Sequence, residues 1–449
     1  MTFPETHTIL AQVQQALEKD DLNQAILILQ SLRTEDQAEV FDDLDEEDQV
    51  SLLPNFSRDV SADILEYIED EDAARLVSNL SSELVVPIVN EMEPDEIADL
   101  LGDIQPQQAQ EILSRLDHPE EVTPLLLHPD ESAGGLMTSE YLALRRGMLV
   151  RDGLNAVRSW GSDKRTLYYL YIVDEQDRLC GVTDLQKLIG EKDNTSLGDI
   201  MDTDIISVNA DTDQEECSNL MSRYDLIALP VVTDPGTLLG VITVDDVLDV
   251  LVEEATEDIQ KMGGAQPLGV PYLLTKTTSV FQKRIFWLLL LFLTASLTGY
   301  VMRMFEQELQ TAIALTFFIP LLIGTGGNAG SQTTNTIIRS LAVGDMEVKD
   351  ALRALWHESK VSLLLGGTLA LAAFIRAITW DPSTSLALTV ALAILTIVIW
   401  ANLLGALLPI LAMKLKIDPT VVSGPVMSTL VDATGLFIYF SIAKVMMGI

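Results

Sequence analysis

Asp432 is the only acidic residue in the last long apolar stretch of this chain, residues 421–445, which is long enough to cross a bilayer core. An unpaired carboxylate at that depth costs about 2.5 kcal/mol or more, so something must offset it. Two chemistries fit: a charged ligand for a passing cation, or a protonated acid bonded to a neighbouring helix. A second apolar stretch carries Pro320, Gly324, Thr325, Gly326, Gly327, Asn328, Gly330, Ser331 and Gln332. Glycines and a proline free backbone carbonyls, and such backbone is tolerated in a membrane only beside protein or water, so this stretch is expected to be interrupted at residues 324–327. Residues 421–445 repeat the theme with Ser423, Gly424, Pro425, Ser428 and Thr429. Small and polar residues also glue membrane helices together, but their concentration on two stretches favours a lined pathway.

A further set of oxygens lies on the helix expected from about Val244, where Asp245, Asp246, Asp249, Glu253, Glu254, Glu257 and Asp258 recur at spacings of three and four. Several of these carboxylates share one face, and their mutual repulsion favours a divalent cation, which prefers oxygen ligands. A solvated acidic face is the alternative. Enzyme chemistry finds little support: there is no phosphate-binding loop of the Walker type, and His7, His118, His128 and His357 show no ligand spacing. Cys180 and Cys217 offer neither a disulfide framework nor a ligand cluster.

The elements that must carry these groups divide the chain in two. Residues 1–275 hold 58 acidic and 16 basic residues, whereas residues 276–449 hold 9 and 12. The first part is an acidic soluble half that would repel nucleic acid. The second is dominated by apolar runs, read as five membrane spans at about residues 285–302, 312–338, 361–378, 386–413 and 421–445. Lys276, Lys283, Arg284, Arg339, Lys349, Arg353, Lys360, Lys414 and Lys416 fall on the side of the acidic half, against Arg303, Arg376 and Lys444 near the other side. The positive-inside rule then places the acidic half in the cytoplasm and the C-terminus outside, in a multi-pass protein of the cell membrane. The first residues lack the basic and apolar pattern of a cleavable export signal.

Within the acidic half an apolar residue recurs every twelve positions, at Leu32, Leu44, Phe56, Ile68, Leu80, Met92, Ile104 and Leu116. Three places later an acid often follows, as at Glu35, Glu47, Asp59, Glu71, Glu83 and Asp95, where it favours the positive end of a short helix. The pattern predicts a coiled stack of short helices, stable only together, and leaves its handedness open. From about Met137 to Asp258 the pattern changes to a repeated hairpin-plus-helix unit: Leu170 to Val173, a turn, Leu179 to Val182 and a helix, then Leu229 to Val232, a turn, Leu238 to Ile242 and a helix.

These two units resemble a pair of CBS domains, regulatory modules that commonly bind adenosine compounds. Thr243 and Asp246 match the Thr-x-x-Asp that many such domains use for a ribose, so they are candidates for an adenine nucleotide. In the first unit Thr183 is followed by Gln186 and Lys187, and the feature is missing. The membrane half is similar to the MgtE family of magnesium channels at Gly324-Thr325-Gly326-Gly327-Asn328, Arg339-Ser340-Leu341-Ala342, Asp418-Pro419, Ser423-Gly424-Pro425 and Asp432-Ala433-Thr434-Gly435-Leu436.

That resemblance implies a homodimer in a lipid bilayer, with a pore between subunits where Asp432 of each chain holds a hydrated Mg²⁺ and Asn328 and backbone at Gly324 and Gly424 line the path. Mg²⁺ gives up its water reluctantly, which suits a wide ring of oxygens acting through that water. It also implies that Mg²⁺ bound between acidic cytoplasmic surfaces closes the channel. The matching positions are Asp63, Asp95, Asp99, Asp213, Glu215, Asp225, Asp246, Asp249, Glu254, Glu257, Asp258 and Asp418, and a connecting helix at 269–282 would press on the pore. The expected fold is multidomain: an all-α acidic superhelical domain (1–131), an α/β tandem CBS pair (132–258), a connecting, plug-like helix (259–283) and an all-α membrane domain of five helices (284–449). Two rivals are a channel for another divalent ion, Co²⁺ or Mn²⁺, and a membrane sensor that does not conduct.

Overall fold

In a computed structural model, residues 3–160, 169–268, 272, 275–422 and 424–448 are described. They form two compact units, Met1–Val252 and Glu253–Ile449.

The first unit opens with short helices: α1 (Phe3–Leu17), α2 (Leu22–Leu29), α3 (Thr34–Asp42), α4 (Glu46–Leu52), α5 (Arg58–Tyr67), α6 (Asp70–Asn79), α7 (Ser82–Val89), α8 (Pro94–Asp103), α9 (Pro106–Leu113) and α10 (Pro119–Val122). The twelve-residue period has a physical cause visible here. Leu44, Phe56, Ile68, Met92 and Ile104 are buried where one helix gives way to the next, each plugging its turn into the core. Glu35, Glu47, Asp59, Glu71, Glu83 and Asp95 all lie in first turns, where the helix dipole favours them.

Two three-stranded sheets follow. The first contains β1 (Ala143–Arg145), β2 (Tyr169–Val173) and β3 (Leu179–Asp184), with α11 (Val150–Trp160) as the crossover and α12 (Leu185–Gly190) and α13 (Leu197–Ile200) after the hairpin. The second contains β4 (Val208–Asn209), β5 (Ala228–Val232) and β6 (Leu238–Thr243), with crossover helix α14 (Gln214–Tyr224) and then α15 (Val244–Met262). In each sheet the hairpin pairs antiparallel, and the short leading strand, invisible in the sequence pattern, adds in parallel.

The segment before β1 belongs to the second sheet: Ala133 N–H donates to Thr212 O at 2.6 Å, and Thr138 and Val241 exchange backbone bonds of 2.9 and 3.0 Å. The helical stack and the second sheet therefore share one apolar core, in which Phe41, Leu76, Val89, Met137, Leu229 and Ile242 are buried together.

The second unit holds α16 (Thr277–Met304), α17 (Glu306–Thr311), α18 (Ile319–Ala342), α19 (Ala351–Trp380), α20 (Thr384–Lys414) and α21 (Gly424–Met447). Among the described residues five helical stretches are long and apolar enough to cross a membrane. Of the connecting helix expected at 269–282, the part from Thr277 runs unbroken into the first span, and residues 269–271 and 273–274 lie outside the described residues.

One expectation needs correction: the second span is not interrupted at its glycines, because α18 is helical throughout. Inside a membrane the backbone must satisfy itself, and the glycines serve close packing instead. A Cβ on Gly326 would lie 2.6 Å from Ile397 and 2.8 Å from Val431, and one on Gly405 would lie 2.7 Å from the Gly330 carbonyl oxygen. The three helices α18, α20 and α21 thus close around small residues.

Candidate functional site

Asp432 lies on α21 four residues after Ser428 and eight after Gly424, so all three share one face of the helix. That face runs along α18. Ser331 Oγ donates to the Gly424 carbonyl oxygen at 3.3 Å and lies 3.4 Å from Ser428 Oγ, while a Cβ on Gly327 would come within 3.2 Å of the same hydroxyl. Asn328 and Gly324 are exposed, and a Cβ on Gly324 would meet nothing within 4 Å, so no packing against its own chain demands glycine there. Ser423 lies outside the described residues.

The decisive atom is Asp432 Oδ1, which is buried and has no hydrogen-bond partner among the described residues. A carboxylate oxygen placed so, beside hydroxyls and on an apolar helix, is chemically suited to hold a cation.

Further along the chain, Asp418 begins the turn that leads into α21. It accepts from Thr420 N–H at 2.8 Å and Thr420 Oγ1 at 2.6 Å, and from Lys261 Nζ at 3.1 Å. The same ammonium lies 2.5 Å from Glu257. Burial pushes the Asp418 carboxyl up, but the bonds from Thr420 and Lys261 outweigh it and hold it below the usual range. Burial and the nearby Asp418 raise Asp258. Carboxylates of the acidic helix and of the α21 approach thus converge on one positive charge, that of Lys261, which the sequence pattern does not single out.

A second acidic convergence lies in the first unit. Asp95 is buried, one of its oxygens lacks a partner among the described residues, and burial together with the charge of Asp246 raises it well above the ordinary value. Burial raises Glu96 to about 10, with Asp95, Asp99, Glu66 and Asp70 adding to it. Burial likewise raises Asp99 to about 7, helped by Asp70, Asp130, Asp103 and Asp246. Asp246 is itself raised by burial although Thr243 Oγ1 donates to it at 2.5 Å, and Asp249 is raised by burial and Asp245.

These acids are protonated more readily folded than unfolded, so between about pH 4 and pH 10 folding takes up protons and stability falls as pH rises. The full-length protein in chelator should therefore melt at least about 5 °C lower at pH 8 than at pH 5.5, with millimolar Mg²⁺ or Glu96→Gln removing much of the difference. A melting temperature indifferent to pH would show that the carboxylates do not strain one another.

The remaining candidates have local roles. Asp213 caps α14 by accepting from Glu215 N–H at 2.9 Å, and Asp225 ends the same helix in the left-handed conformation at φ 53°. The two are about 18 Å apart by helix rise, so one ion cannot touch both in a single chain. Asp63 is half-buried on α5, and Glu254 lies on α15. Thr243 and Asp246, the nucleotide candidates, bond to each other. Among the described residues no group of three or more His, Cys, Asp or Glu gathers in the way a metal ion requires. The sequence pattern does not single out Glu96, Asp70 or Asp130, though the acidic runs at 69–72 and 93–103 are an available signal for the first two.

A helical bundle with an acid in its last span, joined to acidic domains and a CBS-like pair, defines a polytopic membrane transporter for cations. Three family models match: the divalent cation transporter domain at residues 319–442, the MgtE intracellular N domain at 32–129 and the CBS domain at 197–253. The magnesium transporter MgtE of Thermus thermophilus is 43% identical over 327 residues, 73% of this chain and 72% of that protein. The magnesium transporter MgtE of Bacillus subtilis is 34% identical over 319 residues, 71% of this chain and 70% of that one. The chain belongs to the MgtE family. A crystal structure of the cytosolic domain of the Mg²⁺ channel MgtE in complex with ATP is also similar, at 35% identity and TM-score 0.50, covering 54% of this chain and 99% of that one.

Proposed function

We propose that the protein is a Mg²⁺ channel that admits the ion across the cell membrane and closes when cytoplasmic Mg²⁺ fills its acidic sites. The observation that carries this reading is the buried Asp432 oxygen, unpartnered among the described residues, on a face shared with Gly424 and Ser428. In a homodimer, Asp432 of each chain would bind one hydrated ion between the subunits, with Asn328 and backbone at Gly324 and Gly424 lining its path. Two facing carboxylates favour a divalent ion because each offsets the other's repulsion only through it. The acidic half lies in the cytoplasm and the C-terminus outside, as the distribution of Lys and Arg supports.

For closure, the carboxylates at Asp63, Asp95, Asp99, Asp213, Glu215, Asp225, Asp246, Asp249, Glu254, Glu257, Asp258 and Asp418 hold the regulatory ions. Among the described residues too few of them gather in one chain, and these ions bridge surfaces that come together in the closed dimer. An adenine nucleotide binds the second CBS unit, its ribose replacing the bond between Thr243 and Asp246; the neighbouring structure with ATP supports this reading. The family is one of transporters, and no catalytic role is assigned.

The test is Mg²⁺ entry into liposomes holding the purified protein. Entry should fall at least about tenfold when internal Mg²⁺ rises from micromolar to several millimolar. Competition by Co²⁺ and Mn²⁺ should be weaker than by unlabelled Mg²⁺. No flux from folded dimeric protein would favour a sensor that does not conduct.

A further inference from the structure

We propose that the hydroxyls of Ser428 and Ser331 contact the water shell of the transported ion one helical turn from Asp432, and so set how the pathway ranks divalent cations. This rests on the reading of Asp432 as the ion's ligand. The argument begins with where hydroxyls in these spans ordinarily go. Thr429, Thr434 and Ser441 each donate to the carbonyl four residues back in α21, at 2.9, 2.7 and 2.7 Å, and Thr336 does the same in α18 at 2.8 Å. Such groups are satisfied within their own helix and have little left to offer an ion.

Ser428 departs from this habit. The carbonyl four residues back is that of Gly424, and Ser331 of α18 donates to it instead. Among the described residues the Ser428 hydroxyl is paired only with Ser331 Oγ, at 3.4 Å, well beyond the usual O–H···O distance of about 2.7–2.8 Å. Both serines are half-buried, and both contacts are long, so each hydroxyl keeps lone pairs free and a hydrogen that is loosely held. Gly327 maintains the arrangement, since a Cβ there would crowd Ser428 Oγ at 3.2 Å.

Residues four apart on a helix hold their side chains about 5–6 Å apart, which is the span of one water bonded at both ends. A water of the ion's shell therefore fits between the free Asp432 oxygen and the Ser428 hydroxyl. The carboxylate responds chiefly to charge, which all divalent ions share. The hydroxyls sit at fixed positions on packed helices and respond to where the waters are. Mg²⁺ keeps its octahedral waters more stubbornly than its competitors, so this second contact favours it.

The test uses the full-length protein in liposomes, measuring Mg²⁺, Co²⁺ and Mn²⁺ entry against concentration for wild type, Ser428→Ala, Ser331→Ala, Ser428→Thr and Asp432→Asn. Ser428→Ala should raise the half-saturating Mg²⁺ concentration about three- to tenfold and increase Co²⁺ and Mn²⁺ entry relative to Mg²⁺. Ser428→Thr, which keeps the hydroxyl, should restore the ranking. Ser331→Ala frees the Gly424 carbonyl for Ser428 to turn back upon, and should act in the same direction if Ser428→Ala itself folds poorly.

A purely structural role would lower thermal stability and reduce entry of every ion alike, and that result overturns the inference. So do an unchanged half-saturating concentration and ranking in both alanine variants while Asp432→Asn is inactive. Full flux in Asp432→Asn overturns the pathway reading and this inference with it.

Discussion

Asp432→Asn is expected to reduce Mg²⁺ entry at least about a hundredfold while leaving the protein folded. The variant keeps the size of the side chain and removes the charge, so it tests the electrostatics of the pathway rather than its packing. A charged group at membrane depth costs about 2.5 kcal/mol or more, and asparagine avoids that cost. The variant should accordingly be at least as heat-stable as wild type in chelator and gain less stability from added Mg²⁺, because ligand binding stabilises in proportion to occupancy. Loss of flux with undiminished stability would locate the ion at Asp432. Wild-type flux in the variant would instead mean that this oxygen, buried and unpartnered among the described residues, meets a neighbouring helix of a second subunit and no ion.

The second large effect is expected from Asp246→Asn combined with Asp249→Asn, which should leave entry nearly unchanged as internal Mg²⁺ rises to several millimolar, where wild type closes. Asn at 246 can still accept from Thr243, so the start of α15 is preserved. What is lost is negative charge opposite Asp95 and Asp99, which the burial of all these acids makes costly in the absence of a cation. The variant should thus be more stable in chelator at neutral pH and respond less to Mg²⁺. Closure at the wild-type Mg²⁺ concentration would place the sensor elsewhere, for instance at Glu257, Asp258 and Asp418 around Lys261.

Those two experiments probe sites that differ in how far the sequence exposes them. An acid alone in a long apolar run, as Asp432 is, is conspicuous by hydropathy. Asp246 stands out through its helical spacing and the resemblance of its surroundings to CBS domains. Neither signal says what faces the residue.

Local chemistry alone determined a good deal of this protein. The five spans, the acidic half, the twelve-residue repeat and the two hairpin units all follow from periodicities and compositions readable within a few dozen residues, because burial of one stripe or one face imposes them directly. The glycine run shows where local rules fail. Glycine weakens an isolated helix, yet α18 is continuous, since the membrane compels the backbone to bond internally and small residues let helices approach.

Only the tertiary structure decided which oxygens meet. Ser331 reaches Gly424 across 93 residues, and Lys261 reaches Asp418 across 157. Asp95 and Asp246 come together because the helical stack and the second sheet share a core. No periodicity encodes such pairs, because each is set by how whole elements pack and not by the preferences of the residues that touch.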